Sequence, residues 1–369
     1  MHGRTPYTAE LTGEIQEGFY GRQLDPGNSA DPTDLQAFVY PLYVVFLLAP
    51  FVTLPFATVM EIFRWVLLLC AAASVPLWMY AIGFRPGRLF TASAVILAVS
   101  NFPAVLEDRQ QNLSAVIVLL LACSVAATVR HWLILSGFLL ALSTIKPQLS
   151  GILIGWMLLW AFSNWKERGQ LVWSFGAALV ALLAAATAIS PHWMEGFWSA
   201  VRAYRSYGLG ASIFQEMLPP ILAIPVIAIL LMFMGIVCWK WRRAQAASTQ
   251  FSWTLALLVT VTVTLTTQAA HYQLLLIPAV LVLAASIDAI RRLNLLVRAL
   301  TKSAWACLFW QWGAALGLAL ISMFEPVFRL RAVAELPMYT LLAFPVLILL
   351  AIVGVILSMQ SAGRSEFAS

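Results

Sequence analysis

Charge is what this sequence has least of. Asp, Glu, Lys and Arg make up 10% of its 369 residues, against about a quarter in a soluble globular chain. Apolar residues make up 62%, too many for one water-covered core, so a soluble enzyme and a disordered chain are both excluded. Cysteine is scarce as well. Cys70, Cys123, Cys238 and Cys307 all lie inside apolar runs, which reads as small core residues and excludes a disulfide-stapled module. The net charge of +6 comes from basic residues scattered over short loops. No aromatic-laced basic patch accompanies them, so no nucleic-acid partner is expected. The sequence also lacks a Gly-rich phosphate loop ending in Lys-Ser or Lys-Thr, a His-Glu-x-x-His and a Cys-x-x-Cys. No cofactor and no metal ligand set is therefore read from it, and any phosphate handled here arrives on a lipid.

What the sequence has instead is length of hydrocarbon. Mean hydropathy is +0.87, and apolar runs fall at 58–84, 89–106, 113–129, 132–145, 149–162, 171–189, 219–238, 251–267, 273–287, 303–324 and 338–359. A helical span needs about 20 such residues, and helices are the open-chain solution in lipid because every backbone group must pair within its segment. The expected fold class is all-α: a polytopic membrane bundle of about eleven transmembrane helices plus a re-entrant or interfacial element. The division expected is 1–57, an outer-face loop with that element, and 58–369, the transmembrane domain with an outer loop at 190–219.

The element in question is 38–56, apolar enough to span but interrupted by Pro41, Pro50 and Pro55, each of which removes a helix donor. It is read as re-entrant or interfacial; the alternative is a kinked span. Ahead of it, 1–37 is polar and Gly/Pro-rich, with Glu10, Glu14, Glu17, Asp25, Asp31 and Asp34; it has no signal-peptide pattern and reads as a surface tail or an ordered loop. Placing the loops with Arg85/Arg88, Arg130, Lys166/Arg168, Lys240/Arg242/Arg243 and Arg291/Arg292/Arg298/Lys302 inside, with the Arg364 tail, puts 13 of 22 basic residues in the cytoplasm. The expected location is the inner plasma membrane, multi-pass, C-terminus cytoplasmic.

The outer face then collects polar groups, a functional-site signal in a membrane protein. Lys146 ends a helix that Pro147 stops, which stands its ammonium at the bundle mouth beside Gln148; it is either a phosphate partner or a lysine snorkelling to headgroups. Gln110 and Asn112 open the helix 113–129, where amides hold sugar hydroxyls or cap free donors. Glu107, Asp108 and Arg109 read as a solvated ion-pair trio. In the outer loop Trp193, Trp198, Tyr204 and Tyr207 are interleaved with His192, Arg202 and Arg205 on an amphipathic helix that anchors at the interface or meets a lipid phosphate or sugar. Tyr40 in the broken segment, and His271 with Tyr272 in an outer turn, are secondary candidates.

Four stretches in this order carry a family likeness: Phe-Val-Tyr-Pro-Leu-Tyr with the later Ala-Pro and Leu-Pro (38–55), Gln110-Gln111-Asn112 opening a helix, Gly137 through Lys146-Pro147, and Pro191-x-Trp193 leading to Tyr204. With them the chain resembles the multi-spanning GT-C type glycosyltransferases of family 87, polyprenol-phosphate-dependent mannosyltransferases and their relatives. The resemblance implies transfer of a hexose such as mannose from a polyprenyl-phosphate donor to a lipid or glycan acceptor on the non-cytoplasmic face, among membrane lipids. It implies Lys146 as phosphate partner and Gln110 and Asn112 near the donor; Arg202 or Arg205 help by location. Relatives place a membrane helix with an acidic outer end ahead of a Gly-Arg-x-Pro-Tyr-like stretch. Here Gly3-Arg4-Thr5-Pro6-Tyr7 follows Met1 almost directly. The catalytic carboxylate is thus expected upstream of Met1, through a misplaced start or a truncated gene; otherwise Asp25, Asp31 or Asp34 would have to be the base. Rival readings are a lipid or sugar transporter or flippase, which favours inverted repeats, and an inactive truncated membrane protein.

Overall fold

The computed structural model describes residues 6–25, 28, 31, 35–207, 212–266, 269–324 and 339–365. The fold is all-helical, 81% helix, with no strand among the described residues. Every one of the eleven apolar runs carries helix. They are α3 (Phe56–Ala81), α4 (Arg88–Ser100) with α5 (Phe102–Gln110), α6 (Ser114–Val129), α7 (Leu133–Ser143), α8 (Pro147–Phe162), α9 (Trp165–Ile189), α12 (Pro220–Lys240), α13 (Thr249–Leu265), α14 (Ile277–Ala285), α16 (Leu295–Phe324) and α17 (Tyr339–Ser365). Shorter elements are α1 (Ala9–Tyr20), α2 (Val44–Leu48), α10 (Trp193–Tyr207), α11 (Ile213–Met217) and α15 (Ile287–Arg291), with 3-10 turns at Ala49–Phe51 and Ala269–Leu276.

Four helices are long and apolar enough to cross a membrane: Phe56–Ala81, Trp165–Ile189, Pro220–Lys240 and Leu341–Ser361. Their outward faces are hydrocarbon, with Ile221 80% exposed and Met232 62% exposed on α12. Apolar surface on that scale is covered by lipid, not water, and the chain is a membrane protein. The centre of the bundle is α13, whose residues from Phe251 to Thr264 are all buried. Its threonines fold back on their own helix, Thr260 Oγ1 donating to the Ala256 carbonyl at 2.7 Å and Thr262 Oγ1 to Leu258 at 2.8 Å, so no hydroxyl is stranded in the core. Between α6 and α7, Ser124, Thr128 and Ser136 hydrogen-bond one another at 2.8–2.9 Å, the polar cement of helices that have no hydrophobic effect to drive them together.

Two stretches part from the simple reading. The run at 89–106 is two helices: Pro103 cannot continue α4, and Asn101 turns extended and caps the new start, its Oδ1 accepting the Ala104 N–H at 2.8 Å. In 38–56 only the five-residue α2 and the 3-10 turn form, so this segment holds no helix of crossing length. The N-terminal segment is ordered where it is described. Thr8 caps α1, Gly21 closes it in the left-handed region, and Gln16 is buried, its Nε2 donating to the Leu35 carbonyl at 2.9 Å and its Oε1 accepting the Leu24 N–H at 3.0 Å. Arg22 holds Asp31 in a two-point ion pair that pushes the Asp31 carboxyl down to about 2.

The loops sort to two ends. Arg168 stacks on Trp160 at 3.8 Å, Trp160 Nε1 donates to the Ala244 carbonyl at 2.8 Å, and Ser252 Oγ bonds the Ile82 carbonyl at 3.4 Å. Arg130 lies over Tyr80 at 5.2 Å. The basic loops after α3, α6, α8 and α12 are thereby tied into one end of the bundle.

Candidate functional site

The opposite end is organised by Lys146. Pro147 takes the first position of α8, and the residue before a proline is held out of the helical region, so Lys146 caps α8 at φ −123°, ψ 80°. The residue is buried, only 2% exposed. The expectation of a lysine at the open mouth is corrected here: long-range partners hold it in the interior. Lys146 Nζ donates to Asn112 Oδ1 and, at 3.0 Å, to Ser114 Oγ. It also lies over two rings, Tyr272 at 5.1 Å and Tyr40 at 5.8 Å from the centroids, an arrangement that stabilises a cation. Four separate stretches of chain thus meet at one charge.

Asn112 does double duty. Its Oδ1 also accepts the Ser114 N–H at 3.2 Å, which ties the amide to the first residue of α6 beside Lys146. Tyr40 is placed by its own carbonyl, which accepts from Tyr7 Oη at 2.8 Å, and by Phe38 alongside. Three residues on, Tyr43 is buried, and its hydroxyl meets the Thr144 carbonyl at 3.0 Å and Oγ1 at 2.9 Å. Tyr43 in turn packs edge-on against Trp193 at 6.1 Å. The broken segment, the lysine corner and the start of the tryptophan-rich loop are therefore one structure. Tyr43→Phe removes a half-buried bond that pins this assembly. It is expected to lower unfolding stability by about 1 kcal/mol, read as a drop in the thermal midpoint of the purified protein.

The other candidates are exposed, half-buried or outside the described residues. Gln110 does not open α6; it is the exposed last residue of α5, because the chain turns at Gln111 (φ 52°) before α6 begins. Gln148 is exposed on the first turn of α8, away from its neighbour's interior position, and Arg202 is exposed on α10. The side chains of Glu107, Arg109, Arg205 and His271 lie outside the described residues, as do Met1–Thr5, Asp34, Gln268 and the loop 325–338.

Asp108, the one member of the expected ion-pair trio whose side chain is described, is half-buried. Its Oδ2 sits 3.6 Å from Nε of Arg64, the lone cation in the first long apolar helix, while its Oδ1 is buried without a hydrogen-bond partner. Burial pushes the carboxyl up, against Arg64, which lowers it, and with Glu61, which raises it. A carboxylate raised on folding contributes stability below its unfolded value of about 3.9 and loses it as pH rises through the folded value. Asp108→Asn is therefore expected to flatten the decline in thermal midpoint as pH rises above about 4. An unchanged slope in a pH series of melting curves would contradict the buried placement.

Sequence reasoning missed Ser114, Tyr43, Thr144 and Arg64 as partners. Arg64 alone had a visible signal, a charge inside an apolar run. A groove of about 770 Å³ beside Phe46, Phe138 and Trp173 contains none of the candidate residues. Among the described residues no group of His, Cys, Asp and Glu is placed to hold a metal ion. Compared with known proteins, the chain matches no family model and no curated protein.

Proposed function

We propose that the protein is an integral-membrane glycosyltransferase. It moves a sugar, a hexose such as mannose, from a polyprenyl-phosphate donor to a lipid or glycan acceptor at the non-cytoplasmic face of the inner plasma membrane. On this reading the eleven apolar helical stretches are spans, 38–56 is re-entrant or interfacial, and the basic loops and C-terminus are cytoplasmic. The observation that carries it is the buried ammonium of Lys146, fixed by Asn112 and Ser114 and walled by Tyr40 and Tyr272. A buried, pre-oriented cation at the polar end of a lipid-facing bundle suits a phosphate that arrives on a hydrocarbon chain.

In the reaction, the acceptor hydroxyl attacks the anomeric carbon and the bond from that carbon to the phosphate oxygen breaks. The electron pair leaves on the lipid phosphate, which Lys146 stabilises, and configuration inverts. The hydroxyl proton passes to a carboxylate. Among the described carboxylates, Asp108 has a buried oxygen with no hydrogen-bond partner, and it takes this role in the proposal. In the proposal, exposed Arg202 and Gln110 meet the donor's headgroup as it enters.

The test is incubation of membranes containing the protein with a labelled polyprenyl-phosphate hexose. Label appearing in a new lipid or glycan, and lost with Lys146→Met, supports the transferase. Donor that crosses the bilayer with no new product identifies a flippase instead.

A further inference from the structure

Between α4, α14, α16 and α17 lies a separate cavity of about 360 Å³, within the size range of sites that bury most of a small ligand. Its walls are apolar, with Phe90, Leu97, Val280 and Trp305 among them, and no charged side chain lines it among the described residues. Three amides reach it: Asn101, Gln273 and Gln311. Two are already used by backbone. Asn101 donates to the Ala98 carbonyl at 2.7 Å and accepts from Ala104 N–H at 2.8 Å, and Gln311 Oε1 accepts the Phe102 N–H at 3.1 Å.

Gln273 differs. It is 6% exposed, and its Nε2 donates to the Leu341 carbonyl at 2.6 Å. That bond fixes which way the amide points, since a carbonyl oxygen cannot face another carbonyl. The remaining atom, Oε1, is a buried acceptor with no hydrogen-bond partner. Acceptors in that condition are rare in folded proteins, and rarer where lipid surrounds them.

We infer that this cavity binds the end of a hydroxyl-terminated hydrocarbon chain, the O–H donating to Gln273 Oε1 and the methylenes lying between α4, α14 and α16. The lining selects this chemistry. A phosphate or carboxylate end has no cation to meet there, and a plain hydrocarbon leaves Oε1 unpaired. The site does not involve Lys146, so it stands or falls independently of sugar transfer.

The test uses the full protein in phosphatidylcholine nanodiscs, irradiated with a diazirine-bearing dodecanol, with labelled peptides mapped by mass spectrometry. Label is expected around Leu97, Val280 and Leu308, displaced by unlabelled dodecanol at about tenfold lower concentration than by dodecane, the worth of one hydrogen bond. Gln273→Met should erase that preference, and Ala94→Phe, which fills the cavity and spares Gln273, should remove the cavity label. Labelling confined to the lipid-facing residues of α12, equal displacement by dodecane, or cavity labelling unchanged by Ala94→Phe would overturn the inference and leave Oε1 to a water molecule.

Discussion

Lys146→Met, which keeps the length of the side chain and removes its charge, is expected to cut sugar transfer about 100- to 1,000-fold, the range seen when one pre-oriented electrostatic group is deleted from a water-poor site. Part of the loss should appear in donor affinity and the larger part in kcat, because the charge that Lys146 meets grows as the bond to phosphate breaks. Ser114→Ala removes the 3.0 Å partner and the hydroxyl's own 2.8 Å bond to Asn112 Oδ1 but keeps the bond from Lys146 to Asn112, so it should cost far less, about tenfold or below. The order of the two variants separates a charge effect from general damage. Rates for Lys146→Met within threefold of the parent protein would remove the lysine from the reaction.

Gly137→Ala is expected to be the most damaging small substitution in the membrane region. Gly137 is buried on α7 where that helix crosses α9, and a methyl group there would press on the Leu171 carbonyl oxygen and lie 2.8 Å from the Phe175 backbone nitrogen. Both obstacles are backbone, which cannot swing aside as a side chain can. The helices must separate, which costs about 3 kcal/mol, the upper part of the range for overpacking, and forfeits the close approach that small residues give membrane helices. Thermal unfolding in detergent, followed by loss of the monodisperse peak in size exclusion, measures it. The consequence extends to the site. α7 leads directly into Thr144 and Lys146, so a shift of this helix should also loosen the bond from Tyr43 to Thr144. A Gly137→Ala protein that melts like its parent would show that α7 and α9 are not held at this distance.

The helices were legible because their signal is local. Each of the eleven apolar runs is a continuous stretch of sequence in which helix forms. The exceptions have local causes too: Pro103 splits one run, and three prolines keep 38–56 from forming a long helix. The site was legible only in its members. Lys146, Asn112, Tyr40 and Tyr272 stood out as polar or aromatic residues at helix ends, yet nothing local says that they touch. The Lys146 bond to Asn112 spans 34 positions, and the two rings, Tyr40 and Tyr272, lie far apart in the sequence. Burial of the ammonium is the product of that convergence, so a reading by spacing leaves it at the surface. Gln110 shows the opposite limit. One positive-φ residue at Gln111 moves it from the start of one helix to the end of another, and no hydrophobic period reports such a turn.

If Lys146 meets the phosphate of a lipid-linked sugar, direct binding reveals it without any need for turnover. Labelled polyprenyl-phosphate hexose titrated onto the protein in nanodiscs should bind saturably, compete with unsugared polyprenyl phosphate, and lose at least tenfold in affinity with Lys146→Met. Equal affinity for the parent and Lys146→Met proteins, or equal competition by the uncharged polyprenol, would contradict the account.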